Sequence, residues 1–472
     1  MQLWSLLLVP LVAAAASVGD KVFKLKHFRL EDYRHLYNNQ SEQSGIEAAA
    51  TQQWFASQLV DHTDANNKAV WKQQYFVNDQ FYGGPGSPVF LFISGEDAIN
   101  SVFIQGANYF IGELAQENKA MLVALEHRYY GSSQPVPDWS NANLKYLTSE
   151  QALADIATFQ DYFIKQYQLS TSSPWVAFGG SYSGSLAAWL KLKYPTRFVG
   201  SVASSGPIQA QSDFSAYSDV VSNDIKIIGG STCAQTLQDG LKEFHRLVAS
   251  TNSNDAAMLK QLFNPCYTMN SDDDRAVLEF SLFLEIIGEA QYNPDNFKSF
   301  CTTYLSTSTP TIVPFLQIDR KLVLLQLVLW LCERLYRNYN HHGWMGSSGS
   351  ATASGVFSPL KYATNSVLLN KLCQSAYGIA NVDANVAATN QRYGGLKINV
   401  ENVVFPSSSY DPWSALALSN STGVANSKSQ VVYIDGGSHC RDMYASRSTD
   451  TASVQWAHTQ IRAAVKRFLT KK

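Results

Sequence analysis

Three polar residues far apart in the chain, Ser181, Asp411 and His439, have the types and the settings that acyl transfer requires. Ser181 lies in WVAFGGSYSG, where a short apolar run enters a turn of small residues. A serine hydroxyl is a poor nucleophile until a histidine takes its proton, and that histidine needs a carboxylate to fix its tautomer. Asp411 follows the run VVFPSS, in SYDPW, 230 residues beyond Ser181 (411 − 181). His439 follows VVYID, in GGSHC, 28 residues beyond Asp411 (439 − 411). Oxyanion stabilisation would come from the Tyr182 amide just after the serine, with a second amide at Gly95 in the loop that follows 87–94.

Other residues compete for these roles. Ser183 and Ser185 also follow the turn, but they fall within the start of the next helix and are expected to point away from the strand end. Asp435 belongs to the same strand end as His439 and cannot easily face its imidazole. His341 and His342 are adjacent on a polar loop, with no third ligand at zinc spacing, so no metal is expected. His127, beside Arg128, and the run 272–274 of three aspartates read as structural, the latter as a solvated helix start.

The elements that would position this chemistry alternate. Residues 87–94 and 120–131 are short apolar runs bounded by turn residues, as in strands buried on both faces. Residues 108–117 suit a crossover helix between them. Residues 149–167 are amphipathic at helical spacing, with Ser149 in the N-cap position. WVAF and 198–207 supply further strands around the serine turn and its helix. This β-α-β alternation predicts a parallel sheet covered by helices on both faces. From 210 to 395 strand signals thin out and helical patterns dominate; strands resume at 402–408 and 430–439, before a closing helix. The turn departs from the G-x-S-x-G pattern of the α/β-hydrolase nucleophile elbow, because Ser183 occupies the second glycine position and Gly184 comes one place later. The expected architecture is an α/β-hydrolase fold with an inserted helical cap: 17–209 and 396–472 form the hydrolase domain and 210–395 the cap.

Bulk properties narrow the partners. The 472 residues are 45% hydrophobic and 16% charged, a globular composition. With 36 Lys+Arg against 38 Asp+Glu there is no basic field for nucleic acid or an anionic membrane. Residues 1–16 read as a signal peptide, an apolar run too short to span a bilayer that ends in small residues. The only other long apolar run, 322–332, reads as a buried helix. Secretion makes the six cysteines disulfide candidates, in pairings the sequence does not choose, and places glycosylation sequons at Asn39 and Asn420.

Taken together, FGGSYSGSLAAWLKLKYP, ALEHRYYGSS, SVASSGPI, the SYDPW turn and GGSHCRDM resemble the serine peptidases that include lysosomal prolyl carboxypeptidase, dipeptidyl peptidase II and thymus-specific serine peptidase. GSLAAW and SHCRDM are most similar to the thymus-specific branch. The resemblance runs in order from about residue 28 to about residue 450. It implies Ser181, Asp411 and His439 as the triad, and action on peptides at or near proline in acidic vesicles or outside the cell. One region departs: between about 305 and 362 the family carries Tyr-Gln-Thr-Cys and Glu-Phe-Gly, which help line its pocket. This chain reads GWMGSSGSATASGVFSPL instead, either by divergence or by a misread of the gene.

The expected function is therefore a secreted or lysosomal serine exopeptidase without a cofactor, a carboxypeptidase or a dipeptidyl peptidase, acting on peptide substrates, with a homodimer left open. An esterase or lipase of the same fold, or a secreted non-catalytic binding protein with an altered cap, are the alternatives.

Overall fold

A computed structural model describes residues 50–106, 109–263, 269–298, 301, 355–363 and 381–470. The proposed signal peptide, Asn39, the histidine pair at 341–342, the apolar run at 322–332 and most of the departing segment lie outside the described residues.

Eight strands form one sheet: β1 (Thr51–Leu59), β2 (Val70–Asn78), β3 (Val89–Ile93), β4 (Met121–Leu125), β5 (Trp175–Gly180), β6 (Gly200–Ser204), β7 (Val403–Ser408) and β8 (Gln430–Ile434). Their order across the sheet is β1-β2-β4-β3-β5-β6-β7-β8. From β4 to β8 every pairing is parallel, while β1 and β2 add an antiparallel edge. Central strands bury both faces, which is why their sequences are continuous apolar runs rather than alternating ones. In β3, Val89, Leu91 and Ile93 enter one core, and Phe90 and Phe92 enter the other.

Helices cover the two faces. On one lie α1 (Phe110–Asn118), whose Leu114 packs with Phe90 and Phe92, and the closing helix α9 (Ala452–Thr470), which contributes Ile461 and Phe468. On the other lie α2 (Ser149–Gln166) and α3 (Tyr182–Lys193). Thr148, not Ser149, caps α2: it is extended (φ −128°, ψ 151°) and its hydroxyl accepts the Gln151 N–H. Ser149 is instead buried inside the first turn and shares a 2.8 Å hydrogen bond with the Tyr393 hydroxyl. Each large apolar side chain sealed this way contributes about 1.5–3 kcal/mol.

The antiparallel edge was not evident in the sequence, because β1 exposes most of its residues and reads TQQWFASQL. Its few inward groups are held by specific contacts. The Phe55 ring stacks on Tyr162 of α2 at 4.4 Å, and buried Gln58 donates to Gln73 Oε1 and to the Asp155 carbonyl. Asp155 itself takes two 2.6 Å hydrogen bonds from the buried Arg128 guanidinium, which ties α2 to the end of β4.

Between β6 and β7 the described residues form helices and no strand of the sheet: α4 (Ala216–Asp224), α5 (Ser231–Ala249), α6 (Ser253–Phe263), α7 (Asp272–Tyr292) and α8 (Val382–Tyr393). The three aspartates occupy the first turn of α7, where Asp274 and Ser271 form a capping box. Cys233 of α5 is disulfide-bonded to Cys301. Tyr393 of α8 stacks on Trp189 of α3 at 4.1 Å, so this helical segment is seated on the sheet-covering layer.

Candidate active site

Ser181 stands between β5 and α3 with φ 59° and ψ −130°, a conformation that costs a side-chain-bearing residue about 1–3 kcal/mol. Surrounding bonds hold it there. Its N–H donates to the Ser204 carbonyl at the end of β6 (3.0 Å), and its carbonyl accepts from the Gly184 amide (2.9 Å). The departure from G-x-S-x-G has a steric reason. A Cβ at Gly184 would lie 2.5 Å from the Ser204 carbonyl oxygen, so the position three after the serine must be glycine. The position two after it has room for a side chain, and Ser183 uses that room. Its hydroxyl donates to the Gly180 carbonyl (2.8 Å) and accepts the Gly180 N–H (3.0 Å). Ser183 therefore folds back onto the strand end rather than away from it, because a hydroxyl there can satisfy both backbone groups of the turn. Ser185 donates to the Pro207 carbonyl (2.9 Å). Both rival hydroxyls are engaged in supporting the turn.

His439 and Asp411 meet as buried neighbours. Asp411 follows β7 and caps the short turn Pro412–Leu416, its Oδ1 accepting the Trp413 N–H at 3.0 Å. The same oxygen lies 2.8 Å from His439 Nδ1, while Oδ2 has no partner among the described residues. His439 follows β8, and its N–H donates to the Gln291 carbonyl of α7 (3.0 Å). Its Nε2 is buried and makes no hydrogen bond among the described residues, so the structure joins His439 to Asp411 but does not bring Nε2 within hydrogen-bond distance of Ser181 Oγ. Burial works against charge on this ring, but the Asp411 carboxylate, aided by Cys440, holds its pKa well above the ordinary histidine value. Asp435 is turned elsewhere, accepting from Ser409 at 3.3 Å.

Tyr182 is the first residue of α3, so its amide lies at a helix start directly after Ser181. Gly95 lies in the loop after β3, where an added Cβ would stand 3.8 Å from Ser183 Oγ; that loop therefore borders the serine turn. His127 supports the same corner, with Nδ1 donating to the Arg128 carbonyl (2.7 Å) and Nε2 lying 3.1 Å from the Tyr182 hydroxyl. Asn420 is exposed in a turn, as a sequon requires. Among the described residues no group of three or more His, Cys, Asp or Glu could hold a metal ion, and no helix is long and apolar enough to cross a membrane.

Three participants were not legible in the sequence. Gln291 accepts from the Tyr217 hydroxyl (2.7 Å) and from Trp413 Nε1 (3.2 Å) while its carbonyl fixes the histidine loop. Asp224, at the end of α4, is buried, and neither carboxyl oxygen has a hydrogen-bond partner among the described residues. Burial and the nearby Asp411 carboxylate push its pKa up to about 8. Asp442 is buried beneath the serine turn and accepts from Ser204 Oγ at 2.5 Å. Of these only Asp442, in the SHCRDM run, lies in a stretch that the sequence had marked out.

The family described as serine carboxypeptidase S28 matches residues 58–314 and 335–461. The thymus-specific serine protease of Mus musculus is 30% identical over 459 residues, 89% of this chain and 88% of that protein. The lysosomal Pro-X carboxypeptidase of Pongo abelii is 26% identical over 438 residues, 86% of each chain. Among solved structures, esterase E22 covers 89% of this chain and 100% of its own at 12% identity, with a TM-score of 0.40.

Proposed function

The chain belongs to the serine carboxypeptidase S28 family, a family of serine peptidases, and from that membership we propose that it is an exopeptidase cleaving short peptides at or near proline through Ser181, His439 and Asp411. The observation that carries this reading is the buried His439–Asp411 pair, with Nε2 open, in a chain whose strained Ser181 stands on a strand-to-helix turn.

In this reading Ser181 Oγ attacks the scissile carbonyl while His439 Nε2 takes its proton. Asp411 keeps the Nδ1 hydrogen directed at itself, so that Nε2 presents a lone pair, and it stabilises the imidazolium that forms. The Tyr182 and Gly95 amides receive the oxyanion. The imidazolium then protonates the departing amine, and water, activated by the same ring, hydrolyses the acyl-enzyme. Helices α4–α8 act as a cap that leaves room for a chain end rather than for the middle of a long chain. The preference for proline is supported by the name of the lysosomal Pro-X carboxypeptidase relatives, which also favours the secretory pathway as the protein's location.

The test compares three substrates on one preparation: a prolyl peptide blocked at its amine, one blocked at its carboxylate, and a simple ester. Turnover of one peptide well above the other, lost in Ser181→Ala, supports the exopeptidase reading and fixes its direction. Ester turnover with neither peptide cleaved would replace it with an esterase.

A further inference from the structure

The proposed nucleophile and base hang from the same two residues at the end of β6. The Ser204 carbonyl accepts the Ser181 N–H, and the Ser204 hydroxyl donates to Asp442 Oδ1 at 2.5 Å. Next to it, Ser205 Oγ accepts the Cys440 N–H at 2.9 Å, from the residue directly after His439. Two adjacent serines therefore pin the loop that carries His439 at residues 440 and 442, while one of them also pins Ser181.

Asp442 is an expensive group for that task. It is 2% exposed, and no cation pairs with it among the described residues. A neutral amide could accept one hydroxyl without burying a charge. Burial pushes its pKa up to about 6, against the Ser204 hydroxyl, which favours the anion; Arg441 also lowers it and Asp411 raises it. From the far side, His458 of α9 donates Nε2–H to the Asp442 carbonyl at 3.0 Å, so the residue is held from both directions. Phe178, Gly179 and Met443 line the same small cavity as Asp442.

We propose that Asp442 is a positioning residue of the proposed active site, setting the approach of His439 to Ser181 through the Ser204 hydroxyl. The proposal rests on the Ser181 reading above. A displacement of about 1 Å between reacting groups costs on the order of a hundredfold in rate, so the effect belongs in kcat rather than KM.

The experiment measures kcat and KM per site titrated with a serine-reactive phosphonate, across pH 4–8, for the native sequence, D442A, D442N, S204A and the S204A/D442A pair. D442A is expected to lose on the order of a hundredfold in kcat with KM little changed. S204A, which removes one hydroxyl and keeps the carbonyl, is expected to lose much of the same, and the pair no more than D442A alone. D442N keeps an acceptor for Ser204 and should recover part of the rate while losing any step in kcat near pH 6. Native kcat per titrated site in D442A, even with a lowered Tm, would overturn the proposal. If D442A yields no titratable sites, native kcat in S204A overturns it. Failure of the phosphonate to label the native protein at all would instead strike down the Ser181 reading, and this proposal with it.

Discussion

At the scale of single residues, electrostatics decides what the site can do. Asp411 raises the His439 pKa despite burial, so the ring gains its proton before the pH falls to the ordinary histidine range. Replacing Asp411 by Asn is expected to lower kcat/KM by about 10⁴-fold and to move its acid limb to lower pH, which a pH–rate profile reads directly. Asp224 makes a separate prediction about stability. Its folded pKa of about 8 lies above the 3.8 of an unperturbed aspartate, so the folded chain holds a proton that the unfolded chain has lost. Stability is therefore greatest below the unfolded value and falls as pH rises toward the folded one. Asp224→Asn removes that loss, and its advantage over the native chain should be about 3 kcal/mol larger at pH 8 than at pH 5. Denaturant unfolding at the two pH values measures it, and equal advantages would refute it. Ser181, Asp411 and His439 stand out in the sequence as candidates because each follows an apolar run that ends in turn residues. Asp224 and Gln291 were not, because helix residues facing a distant loop carry no local mark.

At the scale of elements, the serine turn is specified by what crosses it. The Gly184 Cα passes the Ser204 carbonyl so closely that Gly184→Ala must displace either the turn or the end of β6. We expect about 1–3 kcal/mol of lost stability and slower phosphonate labelling of the folded fraction; thermal unfolding together with labelling kinetics would show both. The parallel strands β3 to β8 were readable as elements because burial on both faces demands unbroken apolar runs. The edge pair β1 and β2 was not, since a half-exposed strand can satisfy its inward face with glutamines. Gln58 and Gln73 fill that role here, bonding each other at 2.8 Å where sequence rules look for apolar alternation. The N-cap of α2 moved by one residue for a similarly local reason: Thr148 and Ser149 both carry a hydroxyl, and only the extended backbone at Thr148 turns its own toward the Gln151 amide.

At the scale of the whole molecule, the sheet gathers Ser181, Asp411 and His439 at the ends of β5, β7 and β8, while α7 reaches across to hold the histidine loop through the Gln291 carbonyl. The β6–β7 pairing joins Ser201 to Val403 and Val202 to Val404, residues about two hundred positions apart. That long excursion has a consequence for how the protein comes into being. A ribosome adds about 5–20 residues per second, so the 258 positions separating Ser181 from His439 (439 − 181) take roughly 10–50 s to make. Throughout that interval the proposed nucleophile has neither its proposed base nor its proposed acid beside it. If Ser181, His439 and Asp411 act as proposed, a nascent peptidase of this design is chemically silent toward its neighbours, and toward itself, until β7 and β8 have joined the sheet.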